Sequence, residues 1–76
     1  MNKIRRSQLN TIKEKLEELL AQLEELKDEE EEYLDNAPDN LIGSVRYTSA
    51  EEAILNMEDA LSSIEEAVSS IEEATL

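Results

Sequence analysis

Residues 51–75 repeat a single seven-residue phrase: Glu51-Glu52-Ala53-Ile54-Leu55-Asn56-Met57, Glu58-Asp59-Ala60-Leu61-Ser62-Ser63-Ile64, Glu65-Glu66-Ala67-Val68-Ser69-Ser70-Ile71, then Glu72-Glu73-Ala74-Thr75. Two acids precede an alanine and an apolar residue, and a second apolar residue closes each full copy. Ile54, Met57, Leu61, Ile64, Val68 and Ile71 thus alternate steps of three and four, the spacing that draws one continuous seam along an α-helix. The repeat therefore predicts a long amphipathic helix built to lie against other helices.

Upstream, Tyr47 keeps the phase of 54, 61 and 68. Two N-caps are available, Ser44 or Thr48, the latter with Glu51 completing a capping box. A loop residue has no reason to hold register, so Tyr47 favours Ser44 and a helix over about 45–75. Pro38 cannot continue a helix and turns Ala37 away from the helical region, so a preceding helix stops by Asn36. Asn36-Ala37-Pro38-Asp39-Asn40 is turn chemistry, and residues 38–42 can form one short helical turn that lays Leu41 and Ile42 over the end of the core. The connection spans 37–44.

The segment from about 3 to 36 has its own seam: Leu9, Ile12, Leu16, Leu19, Leu23, Leu26, then Glu30 where an apolar residue belongs, then Tyr33. Leu20 and Leu34 widen this stripe by one position. A buried Glu30 is costly unless paired, so either the seam loosens there or a base reaches it, with Arg46 a candidate. Two helices of similar length joined by a compact turn run antiparallel. The expected fold is all-α: one domain over residues 1–76, a coiled-coil-like helical hairpin. The expected association seam is Leu16, Leu19, Leu23 and Leu26 with Ile54, Met57, Leu61, Ile64, Val68 and Ile71. One neighbour cannot cover so wide a stripe, and alanines at 53, 60, 67 and 74 let a further helix approach. A homodimer forming a four-helix bundle is expected, with a hetero-partner groove as the competing arrangement.

A net charge of −13 is unevenly spread. Residues 1–15 carry Lys3, Arg5, Arg6, Lys13 and Lys15 against Glu14; residues 16–35 carry ten acids against Lys27; residues 51–76 carry eight acids and no base. In an antiparallel hairpin the basic start of the first helix lies beside Glu65, Glu66, Glu72 and Glu73, which offsets the unfavourable helix-dipole placement of both ends. Such a surface repels nucleic acid and anionic membranes and attracts basic proteins. No apolar run is long enough for a membrane span or a signal-peptide core, so neither direct nucleic-acid nor membrane binding is expected, and the expected location is the cytoplasm of the cell that expresses the chain.

Chemistry is bounded by what is missing. The chain has no His and no Cys, which excludes Ser/His and Cys/His dyads and Glu-x-x-His di-iron ligation. It has no glycine-rich phosphate loop, and the Asp35–Asn40 stretch lacks the twelve-residue ligand spacing of a calcium loop. No cofactor, metal or catalytic residue is expected. The candidate binding surface is acidic: Asp28, Glu29, Glu31, Glu32, Glu51, Glu52, Glu58, Asp59, Glu65 and Glu66. Ten acids over residues 17–35 make about one per 3 Å of helix, close to the spacing of about 3.4 Å between phosphates of one DNA strand. A solvated, solubilising face explains the same residues without a partner.

The runs Asp28-Glu29-Glu30-Glu31-Glu32-Tyr33, Asn36-Ala37-Pro38-Asp39-Asn40-Leu41, Ser44-Val45-Arg46 and Ala50-Glu51-Glu52-Ala53-Ile54 together resemble a group of small acidic two-helix proteins from phages and mobile elements of Gram-positive bacteria. The Asn-x-Pro turn followed by Leu and Ser-x-Arg is the more distinctive part. The resemblance implies a phage or mobile-element setting, in which an acidic protein that blocks a nucleic-acid enzyme is a natural role. It implies no catalytic residue.

Overall fold

A computed structural model describes residues 1–76. Two helices account for nearly the whole chain, α1 over Lys3–Asp35 and α2 over Val45–Ala74, with a short 3-10 turn at Asp39–Leu41 between them. They pack along their length as an antiparallel hairpin, 59 Å long and 14 × 13 Å across. Its radius of gyration of 17.4 Å compares with about 11 Å for a compact domain of this length.

Side chains set the ends of both helices. Asn2 caps α1, its Oδ1 accepting from the Arg5 backbone N–H at 2.7 Å. Ser44 caps α2, its hydroxyl accepting from the Tyr47 N–H at 3.2 Å, so of the two candidate caps Ser44 is the one used. At the other end of α1, the Asn36 N–H reaches the Glu32 carbonyl and Pro38 takes an extended conformation at ψ 148°, as a residue unable to continue a helix must. Gly43 turns the chain at φ +84°, a left-handed conformation that costs other residues about 1 kcal/mol or more. Leu41 lines a small depression with Tyr33, Ala37 and Tyr47, while Ile42 stays largely exposed. Of the two turn residues only Leu41 touches the core end, and at 40% exposure it covers that end only in part.

Packing separates the two helices' seams. On α2 the inward rows are Tyr47-Ile54-Leu61-Val68 and Ala50-Met57-Ile64-Ile71, all buried or half-buried, as the repeat predicts. On α1 the inward rows are Leu9-Leu16-Leu23-Glu30 and Arg6-Lys13-Leu20-Lys27-Leu34. The expected row Ile12, Leu19, Leu26 and Tyr33 lies outside, at 49%, 53%, 57% and 47% exposure. Helix α1 is thus turned one position from the expected register, toward Leu20 and Leu34. That rotation lays the aliphatic stems of Lys13 and Lys27 over α2 while their ammonium groups reach acids: Lys13 to Glu17 and Glu72, Lys27 to Asp28 and Glu31. Glu30 shares an open depression with Arg46 and Ala50 and forms no ion pair within 4.0 Å. Glu30 is half-buried like Leu9, Leu16 and Leu23 of its row, and it borders that depression without an ion-pair partner.

The core is thin. Only Ala50, Ile54 and Leu61 count as buried, at 7–9% exposure. The chain leaves 5789 Å² accessible, against about 4,700 Å² for a compact monomer of this mass.

Candidate functional site

Labelling the α1 rows 6-13-20-27-34 and 9-16-23-30 as heptad positions a and d makes the α2 rows 47-54-61-68 and 50-57-64-71 its a and d. Each helix then has two flanking rows, e beside a and g beside d. Reversing one helix exchanges its flanks as seen from a common end, so in an antiparallel pair like rows fall on the same side. Observed neighbours agree. Glu31 and Glu51, both e, border one open depression with Tyr47 and Ile54; Tyr33 and Arg46, both g, border another with Glu30 and Ala50.

The hairpin consequently has two unlike edges. Along the e edge stand Glu17, Glu24 and Glu31 from α1 and Glu51, Glu58, Glu65 and Glu72 from α2, all exposed except the half-buried Glu31. Along the g edge stand Ile12, Leu19, Leu26 and Tyr33 from α1 and Ala53, Ala60, Ala67 and Ala74 from α2. The g edge carries no charge between Arg5 and Arg46 at its extremities.

This partition sorts the sequence-derived candidates. Glu31, Glu51, Glu58 and Glu65 share the e edge, and Glu31 and Glu51 face each other across the helix pair. Glu32, Glu52, Asp59 and Glu66 lie on the outer backs of their helices, on opposite sides of the molecule for α1 and α2. Asp28 also sits on the outer surface, and Glu29 borders the g edge. The acidic candidates thus form one shared edge plus two separate backs rather than one face. Periodicity within α2 alone could not show this, because the edge exists only once the helices are paired.

Few of these acids are neutralised by neighbours. Of twenty Asp and Glu side chains, four have a cation within 4.0 Å, namely Glu17, Asp28, Glu31 and Glu72; sixteen have none. The expected charge pairing of the basic start of α1 with the end of α2 is made by Lys13 alone, 3.9 Å from Glu72. Arg6 is half-buried on the same row, with its Nε shielded and unpartnered.

Of the other two depressions, one is an open polar surface among Ser62, Glu65, Glu66, Ser69 and Ser70 and the other is the small one at the turn, and no group of three or more Asp and Glu side chains is arranged to hold a metal ion. No helix is long and apolar enough to cross a membrane. Comparison with family models, with curated proteins and with solved structures finds no match.

Proposed function

We propose that this chain is a non-catalytic protein-binding hairpin whose acidic surface occupies the nucleic-acid-binding surface of a basic partner, in a phage or mobile-element setting. The observation that carries this reading is the large excess of unpaired carboxylates: sixteen acids without a cation, eleven of them along the e edge and the two helix backs. Within a monomer such charge destabilises by self-repulsion, and a basic partner would turn that cost into binding energy. Twenty carboxylates along 59 Å make about one per 3 Å, near the phosphate spacing of a single strand and about half the density of a duplex. The setting rests on the resemblance carried by the turn residues.

The test is retention of nucleic-acid-binding proteins from bacterial lysate on the immobilised hairpin at low salt, followed by competition with a fluorescent single-stranded oligonucleotide for the purified partner. Changing Glu51, Glu58 and Glu65 to Gln should weaken both. Retention of no such protein at low salt would sink the reading.

A second reading, an oligomerisation or scaffold module with no mimicry, is favoured by the exposed row Ile12, Leu19, Leu26 and Tyr33. The same three substitutions separate the two, since removing repulsive charge from the e edge leaves assembly intact or improves it.

A further inference from the structure

The apolar g edge is the one surface that neither the hairpin core nor the acidic reading uses. We infer that it is covered by a second copy of this chain, related by a two-fold axis perpendicular to the helices, so that α1 lies antiparallel on α1 and α2 on α2. This deepens the assembly reading and is independent of mimicry.

Area supports an occupant of this size. The chain as a whole exposes about 1,100 Å² more than a compact monomer of its mass, and Ile12, Leu19, Leu26 and Tyr33 of the g edge, at 47–57% exposure, are part of that excess; a stable interface takes about 800 Å² from each partner. A second copy of the chain fits the spacing of both g-edge rows. A two-fold at the level of Gln22 and Leu23 sets Ile12 against Tyr33 of the second copy and Leu19 against Leu26. Within one hairpin, Lys13 meets Glu72 and Glu31 faces Glu51, so that level of α1 lies at about residues 60–62 of α2, where Ala60 is the g-edge residue. The same axis therefore sets Ala60 on Ala60 and Ala53 against Ala67. One operation satisfies both rows, large on large along α1 and small on small along α2.

Charge selects this two-fold over the alternative, whose axis runs along the bundle. Residues 23–60, the turn half, carry thirteen acids and two bases, whereas the terminal half carries seven acids and five bases. An axis along the bundle would bring two turn halves together. The perpendicular axis sets each turn half beside a terminal half and so keeps the two most acidic halves apart. The row bordering the g edge on α1 repeats this in detail. It reads Gln8, Lys15, Gln22, Glu29, so the same axis brings Lys15 within about one residue's rise of Glu29 of the second copy.

Sedimentation equilibrium of the full chain at micromolar concentration should show a dimer. Leu19→Glu, at a side chain outside the hairpin core, should weaken it by about a hundredfold or more because the dimer loses the contact twice, while far-UV circular dichroism at high concentration stays helical. Because the chain has no cysteine, Ala60→Cys should cross-link to itself on oxidation and Ala74→Cys should not. A fully helical monomer at 100 µM overturns the proposal, and so does a dimer that survives Leu19→Glu. Cross-linking through Ala74→Cys in preference to Ala60→Cys overturns the perpendicular axis. None of these outcomes bears on retention of a basic partner, which tests mimicry separately.

Discussion

Lys13 Nζ on α1 stands 3.9 Å from Glu72 Oε1 on α2 and also 3.9 Å from Glu17 Oε1 on its own helix, the only ion pair that joins the two helices. The side chains of Lys13 and Glu72 are 27% and 56% exposed, so solvent screens the pair, and it is worth at most about 1 kcal/mol. More of the contribution of Lys13 comes from its stem, which occupies an inward row. Lys13→Met should accordingly change stability by less than about 1 kcal/mol. Lys13→Glu, which sets three acids together, should lower the thermal midpoint measurably, and more so at low salt.

Leu61 and Leu55 differ only in which side of α2 they occupy, at 9% and 61% exposure. Leu61→Ala should cost about 2–4 kcal/mol in chemical denaturation, and Leu55→Ala less than about 0.5 kcal/mol. Leu61→Glu should abolish cooperative unfolding, because three buried residues leave no reserve.

The start of α2 is a separable contribution. Ser44→Ala removes the acceptor for the Tyr47 N–H and should cost about 1 kcal/mol, whereas Thr48→Ala, inside the helix, should cost little. Gly43→Ala meets no atom within 4 Å, so its expected loss of about 1 kcal/mol comes from the left-handed backbone alone. Thermal melts of the three variants check this order.

Neighbouring leucines on α1 should respond differently to concentration. Leu20 faces α2 and Leu19 faces the g edge, so Leu20→Ala should lower the melting temperature at every concentration. Leu19→Ala should lower it mainly where the wild type is dimeric, since association stabilises by mass action. Melts across a hundredfold range of protein concentration distinguish the two.

Unpaired acids should also make the fold salt-sensitive. Raising sodium chloride from 10 mM to 0.5 M shortens the screening length from about 30 Å to a few Å and should raise both melting temperature and dimer affinity. Binding to a basic partner should weaken over the same range, so opposite salt slopes for the two equilibria would be diagnostic.

Much of this architecture is legible residue by residue. The heptads of α2 carry bulk in two rows and alanine in a third, so the orientation of α2 follows from steric size alone, and its inward residues are those the repeat indicates. Pro38, Asn36 and the phase of Tyr47 place the turn and the Ser44 cap for reasons local to the chain. Helix α1 is different, because it has bulky apolar residues in three adjacent rows: Leu9-Leu16-Leu23, Ile12-Leu19-Leu26 and Leu20-Leu34. Periodicity marks that stripe as wide but does not say which two rows meet α2. Only the packed pair decides, by laying the stems of Lys13 and Lys27 over α2 with their charges beside Glu72 and Glu31, which leaves Ile12, Leu19, Leu26 and Tyr33 outside. Sequence alone thus determined two amphipathic helices, their turn and their charge. Tertiary structure decided which edge is acidic and which is apolar, because an edge is made by two helices at once and depends on the rotation of each about its own axis.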